Sequence, residues 1–285
     1  MGAHTVRGAG GVDLRVHEWG RPTGAPILFV HGWSQSHLCW TKQYTGPLAE
    51  EFRLVAPDLR GHGGSDAPLE AAQYVDGDRW ADDLAAIIDR LGLDRPILVA
   101  WSYGGLVVCD YLRKHGQHAI AGVDFVGGAV VLGPGAFGSL IGPGFLDHAP
   151  GACDADLATS IAAIRRFLRA CTAAPMSQDD FEVALASNMV VQPQVRAFLL
   201  QRAVDFAPVL ARLTVPVLVS HGRADTLTLP AMADYITAHC RSARASWYEG
   251  VGHAPFLEAP ERFDRELAQF AAEARGFPSA PPLFP

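Results

Sequence analysis

The six residues Ala100-Trp101-Ser102-Tyr103-Gly104-Gly105 follow directly on the apolar run Ile97-Leu98-Val99 and lead into a helical pattern from Leu106 to Leu112. A serine therefore stands on a sharp strand-to-helix turn, a shape that presents its hydroxyl at the end of a sheet. The backbone is pinched there, so the positions two either side of the serine must be very small. Ala100 and Gly104 meet that need. Glycine is usual at both places, and the single methyl of Ala100 leaves the steric argument intact. The turn requires a strand before the serine and a helix after it, and both patterns are present.

The rest of the chain supplies the layers such a turn belongs to. Val12 to Trp19 alternates apolar with polar residues, as a strand with one exposed face does. Ile27 to Val30, Leu54 to Ala56, Val123 to Val126, Val215 to Ser220 and Ala243 to Tyr248 are short runs of strand type. Trp80, Leu84, Ile87, Ile88 and Leu91 recur at helical spacing, with Asp82 and Asp83 early and Arg90 late, as the helix dipole prefers. Pro260 opens a last helix with the stripe Phe263, Leu267 and Phe270. Strands alternating with helices predict an α/β fold with a mostly parallel central sheet covered on both faces.

Between about Gly133 and Pro208 the alternation stops. Leu157, Ile161, Ile164 and Leu168 form one helical stripe, and Phe181, Leu185 and Met189 form another, opened by Ser177 with Asp180 three residues on. The expected organisation is a core of residues 1–132 and 209–275, an inserted helical cap over 133–208, and a proline-rich, loosely packed tail over 276–285. The glycine-rich stretch from Gly133 to Gly144 lacks the Lys-Ser/Thr ending of a phosphate loop, and is expected to act as a flexible hinge of the cap.

Composition excludes several classes. With 49% hydrophobic and 19% charged residues the chain is a globular one, and no apolar stretch reaches the roughly 18 residues of a membrane span. The first residues lack a basic region followed by an apolar one, so no secretory signal is expected, and Val6 stands where a myristoylation motif needs Ser or Thr. Five scattered cysteines without a C-x-x-C pair suit a reduced, cytoplasmic compartment and suggest neither a disulfide frame nor a zinc site. A net charge of -7 disfavours nucleic acid as a partner.

A serine hydroxyl is a weak nucleophile until a base takes its proton and a third group orients that base. His221-Gly222-Arg223-Ala224-Asp225 puts Asp225 in the loop after one strand, and Gly250-Val251-Gly252-His253 puts His253 in the loop after the next. In open α/β sheets reactive groups gather at these carboxyl ends. Phe29-Val30-His31-Gly32-Trp33 ends an early strand, so the backbone N–H groups of Trp33 and of Tyr103 are the expected donors to a developing oxyanion. Asp124 competes with Asp225 for the role of acid, but falls inside its strand rather than in the loop beyond.

These segments, with Asp58-Leu59-Arg60-Gly61-His62-Gly63-Gly64-Ser65-Asp66 and Gly252-His253-Ala254-Pro255, resemble the α/β-hydrolase family over nearly the whole chain. The chain is most similar to the branch of small bacterial esterases and cofactor-free haloperoxidase-like perhydrolases. The order Ser102, Asp225, His253 is that of the family's triads. The resemblance implies hydrolysis of small to medium, largely apolar carboxylic esters through an acyl-enzyme, without cofactor or metal. A small-molecule ester is then the partner, and a homo-oligomer is compatible with it. Attack by hydrogen peroxide instead of water would give a peracid, with loop shape at Ser34 setting the balance. By the same resemblance His31 braces the oxyanion loop and His62 pins the loop from Asp58 to Asp66. Trp33, Ser34, Trp101, Phe137, Leu140, Phe145 and Met189 are the candidate lining of an acyl pocket. Lactone or carbon-carbon bond hydrolysis uses the same triad, and a ligand-binding receptor can retain it. A lyase would place a lysine near the site, but the only lysines are Lys42 and Lys114, and Ser102 excludes chemistry that needs an aspartate nucleophile.

Overall fold

Leu28, Val30, Val55, Leu98 and Ala100 belong to one buried cluster, and Ile27, Phe29, Leu54, Val99 and Trp101 to another. Successive side chains of a strand point to opposite faces, so these apolar runs form a sheet covered on both sides. The computed structural model describes residues 2–276. The proline-rich tail expected from 276 onward lies, apart from Gly276, outside them.

The strands are β1 (Gly2–Arg7), β2 (Asp13–Gly20), β3 (Pro26–Val30), β4 (Arg53–Pro57), β5 (Ile97–Trp101), β6 (Gly122–Val126), β7 (Val131–Leu132), β8 (Val204–Asp205), β9 (Val217–Gly222) and β10 (Ala243–Tyr248). Eight of them form one sheet in the order β1-β2-β4-β3-β5-β6-β9-β10. The ladders β1/β2 and β2/β4 are antiparallel, and the rest are parallel. β1 was not expected: only Val6 of its six residues is buried, so no apolar period marks it. From β3 the chain steps outward one way to β4, and from β5 it steps the other way to β6. β3 and β5 are therefore the switch point, where the loops at their carboxyl ends diverge and leave a crevice.

Helices Gly77–Arg90, Gly104–His115 and Pro230–His239 cover the face that carries Leu28 and Leu98, through Trp80, Leu84, Leu106, Met232 and Ile236. Helix Pro260–Ala274 covers the other with the expected Phe263, Leu267 and Phe270. After β6 the chain leaves the sheet and returns at β9. The antiparallel pair β7/β8 closes the base of this insertion, which contains helices Leu157–Ala170, Gln178–Val190 and Pro193–Leu199. Asp156 and Ser177 cap the first two by accepting from Thr159 N–H and Asp180 N–H. The first helix buries Ile164, Phe167 and Leu168, whereas Leu157 is 64% exposed and lies outside the stripe.

The glycine-rich stretch differs from a free hinge. Gly142 N–H donates to Leu227 O (2.8 Å) and Gly144 N–H to Thr226 O (2.9 Å). A Cβ at either glycine would collide with Thr226. These two glycines let the insertion strap itself against the loop after β9. Among the described residues no helix is long and apolar enough to cross a membrane.

Candidate active site

Ser102 follows β5 directly and has φ +55°, a left-handed conformation rarely adopted by a residue with a side chain. Its backbone is held from three sides: Ser102 N–H donates to Val126 O (3.1 Å), and its carbonyl accepts from Gly105 N–H (2.9 Å) and Ala129 N–H (2.9 Å). A Cβ on Gly104 would strike the Val30 carbonyl, and one on Gly105 the Ala129 carbonyl. One on Gly32 would lie 2.9 Å from the serine Cβ. The small residues around Ser102 thus let the loops after β3 and β6 close on it, and the methyl of Ala100 is fully buried without displacing them.

Asp225 lies in the loop after β9 and His253 in the loop after β10. His253 Nδ1 lies 2.7 Å from Asp225 Oδ2. The other carboxylate oxygen accepts from Leu227 N–H (2.8 Å) and Thr228 N–H (3.1 Å). Burial works against charge on Asp225, but His253 and His221 outweigh it and hold the carboxyl down at about 2. The carboxylate only accepts, so His253 carries its proton on Nδ1 and leaves Nε2 with a free lone pair. That Nε2 is buried and has no partner among the described residues. Its main chain is pinned by His253 N–H to Cys171 O (2.9 Å) and by Trp101 Nε1–H to His253 O (2.9 Å). His221 was not singled out in the sequence. Its Nε2 lies 2.9 Å from Thr228 O and 3.3 Å from Asp225 Oδ2, so it steadies the acid.

Asp124 is fully buried inside β6, where Oδ2 accepts from Ser220 Oγ–H at 3.2 Å and Oδ1 has no partner among the described residues. Burial pushes it up to about 7, the opposite of what an orienting acid needs. It makes no hydrogen bond to His253.

The loop after β3 is braced by two neutral histidines. His31 Nδ1 lies 2.8 Å from Gly32 O, which can only accept, so the proton is there and Nε2 is free to accept Leu59 N–H (3.0 Å). His62 repeats the arrangement, with Nδ1 against Arg60 O (2.9 Å) and Nε2 accepting Ser34 N–H (3.3 Å). Burial lowers His31 to about 4 and His62 to about 3. The loop from Asp58 to Asp66 is itself anchored by a two-point pair of Arg60 with Asp83 (2.6 and 2.7 Å) and by Asp58 accepting from His37 N–H (2.8 Å) and Gly64 N–H (2.9 Å). Among the described residues the one trio with metal-ligating reach is His17, His37 and Asp58. The two imidazoles are stacked, centroids 3.5 Å apart and 16° from parallel, so an ion could not lie in both ring planes.

The backbone N–H groups of Trp33 and Tyr103 have no acceptor among the described residues. Both residues also wall an apolar cavity of about 30 Å³ that includes Ser102, Leu106, Ala129, Leu132, Ile141, Phe145, Leu200 and Leu227. Of the expected lining, Trp33 and Phe145 are on this wall and five residues are not. Ser34 turns its hydroxyl to Arg196 (2.9 Å). Trp101 packs against Trp40 and Phe256 and floors a separate cleft of about 130 Å³ whose walls include neither Ser102 nor His253. Phe137 is 42% exposed, Leu140 packs on the core beside Ile141, and Met189 lies against Arg196. Ser34 also has φ +61°, a conformation a proline ring cannot adopt.

Residues 27–266 match the alpha/beta hydrolase family. A putative aryl esterase from Burkholderia cenocepacia superposes with a TM-score of 0.92 at 37% identity, covering 96% of this chain and 100% of that one. An esterase from Rhodococcus sp. ECU1013 gives 0.91 at 36% identity with the same coverage. The non-heme chloroperoxidase of Streptomyces lividans is 28% identical over 280 residues, 93% of this chain and 98% of that protein. With the strand order and the turn at Ser102 already in place, the match over most of its length settles that this chain belongs to the alpha/beta hydrolase family.

Proposed function

We propose that the protein is a serine carboxylesterase that cleaves small, largely apolar esters without a cofactor, with Ser102, His253 and Asp225 as its catalytic triad. The observation that carries this reading is the pair Asp225–His253, which ends in a buried imidazole nitrogen with no partner, in the loop cluster that also holds a serine at positive φ. His253 Nε2 takes the Ser102 proton as Oγ attacks the ester carbonyl, while the ionised Asp225 fixes the imidazole tautomer and stabilises the imidazolium. The free N–H groups of Trp33 and Tyr103 receive the oxyanion, aided by the positive end of helix Gly104–His115. The alcohol leaves with the proton from His253, and the same nitrogen then activates water against the acyl-enzyme. The helical insertion is a cap that roofs the acyl cavity through Phe145 and Leu200.

On a scale where one water needs roughly 10–15 Å³, the cavity at Ser102 has room for about two water-sized groups. That favours acetyl and propionyl esters over long acyl chains. Similarity to a non-heme chloroperoxidase supports a perhydrolase side reaction, in which hydrogen peroxide takes the place of water. The five unpaired cysteines are in keeping with work in the cytoplasm on a small-molecule ester.

The test is hydrolysis of p-nitrophenyl acetate, butyrate and octanoate by the parent and by Ser102→Ala. Turnover is expected to be fastest on acetate and to vanish in Ser102→Ala. Turnover that survives in Ser102→Ala, or a parent inert on all three esters, would overturn the reading.

A further inference from the structure

The side chains of both residues that offer oxyanion N–H groups are fastened to one short helix of the insertion, Pro193–Leu199. Trp33 Nε1–H donates to Arg196 O (3.1 Å), and Tyr103 O–H donates to Leu199 O (3.2 Å). Arg196 Nε–H donates to Ser34 Oγ (2.9 Å), on the residue next to Trp33 that sits at φ +61°. Three side-chain hydrogen bonds spanning 96 to 163 positions of sequence would be ordinary packing if they fell on scattered elements. Here they converge on the two peptide groups whose spacing decides whether an oxyanion fits.

Arg196 is fully buried, and among the described residues no carboxylate lies within ion-pair reach of it. A buried charge without a counter-ion is expensive unless every donor is used. Its donors are used: Nη1 reaches Ala152 O (2.7 Å) and Ser160 Oγ (2.9 Å), and Nη2 reaches Asn188 O (2.6 Å). The planar guanidinium thereby joins three helical segments of the insertion to the oxyanion loop in one fixed geometry, which a flexible ammonium or an apolar chain cannot reproduce.

We infer that helix Pro193–Leu199 sets the width of the oxyanion hole and that Arg196 is its positioning residue, so that seating of the cap and catalytic competence are one event. The inference rests on the esterase reading above. Arg196 touches no substrate. It acts through Ser34 and Trp33, while Leu199 acts through Tyr103.

The test uses Arg196→Lys, Tyr103→Phe and the double variant, each with kcat per active site titrated by a phosphonate, KM for p-nitrophenyl acetate, and inhibition by a trifluoromethyl ketone. The ketone adds to the serine and leaves an oxyanion, so its affinity reports the hole, which a merely structural role would not move. In each single variant kcat per titrated site is expected to fall about ten- to a hundredfold, less than the roughly 10²–10³ for deleting a donor outright. KM should stay within about threefold, ketone affinity should fall in step with kcat, and the double variant should lose less than the product of the singles. Unchanged kcat per titrated site with only a lowered Tm would make Arg196 simple cap glue and overturn the inference. Raised KM with unchanged kcat would do the same. Should Arg196→Lys fail to fold, Ser34→Ala, which deletes the oxygen that Arg196 Nε–H reaches, decides the role of Arg196 by the same criteria, as Tyr103→Phe does for Leu199. Failure of the esterase reading is distinguishable, because it would appear as inertness of the parent or survival of turnover in Ser102→Ala.

Discussion

Replacing Asp225 by asparagine is an unusually well-defined perturbation here, because the surroundings dictate how the amide must turn. Asp225 Oδ1 accepts from the N–H groups of Leu227 and Thr228. Two donors cannot face an NH₂ group, so the amide oxygen of Asp225→Asn must take that place. The NH₂ then occupies the position of Oδ2, 2.7 Å from His253 Nδ1 and 3.3 Å from His221 Nε2. An amide nitrogen only donates, so Nδ1 must accept and the imidazole proton moves to Nε2. The base then faces Ser102 with a proton instead of a lone pair. In serine-protease triads this lesion lowers kcat by about 10⁴ with the geometry intact, close to 5.4 kcal/mol of barrier. The same loss is expected for kcat on p-nitrophenyl acetate, with Tm measured alongside to establish that the variant is folded. Raising the pH should not restore the rate, because the defect is a tautomer and not a titration. A loss of less than about tenfold in a folded Asp225→Asn would refute this reasoning, and so would an equal loss in Asp124→Asn.

Asp124→Asn should act on stability instead. Between the ordinary 3.8 and about 7 the native Asp124 carboxyl keeps a proton that the unfolded chain has released, so the parent loses stability as pH rises through that window and loses no more from this group above it. The asparagine removes this dependence, about 3 kcal/mol of it between pH 4.5 and pH 8, and urea unfolding of both proteins at those two pH values measures it; an equal fall in unfolding free energy with pH in parent and variant would sink the argument. Phe145→Ala opens the wall of the acyl cavity. Its optimum should move to longer acyl chains, with about a fourfold gain in kcat/KM relative to the parent for each methylene newly accommodated, and an unchanged chain-length profile on p-nitrophenyl esters would place the acyl group elsewhere.

The sheet and the turn were legible because they rest on short-range rules. Ile97 to Ala100 had to be a buried strand, and Gly104 and Gly105 had to be small for contacts the structure makes with the Val30 and Ala129 carbonyls. Asp225 and His253 could be read because each follows a strand whose end fixes its loop at the crevice. The insertion obeys no such rule. Its helices are ordered by one another, so sequence spacing could mark Phe137, Leu140 and Met189 as apolar without saying which way they point. Arg196 looked like any helix arginine, since nothing local to Gln192-Pro193-Gln194-Val195-Arg196 reports that Ser34, 162 positions earlier, waits for its Nε. Trp101 misled for a different reason: it precedes the serine, and alternation along β5 sends its side chain to the opposite face, against Phe256. That alternation was available in the sequence.

The two kinds of constraint divide the chemistry between two parts of the chain. The residues proposed as the triad are held mainly at the sheet-end loops, Asp225 by the N–H groups of Leu227 and Thr228 and by the His253 and His221 imidazoles, with Cys171 O as the one main-chain contact that His253 makes to the insertion. The groups that would receive charge, the N–H pair of Trp33 and Tyr103, are tied through their side chains to the insertion, which also supplies part of the cavity wall. On the proposed function, exchange of the insertion is expected to leave the pair Asp225–His253 in place while altering both substrate size and the fit of the oxyanion. If Pro193–Leu199 positions the two donors as inferred, substrate choice and rate are coupled through it, because Leu200, the residue that follows this helix, and Phe145, which packs edge-on against Trp33, both wall the cavity.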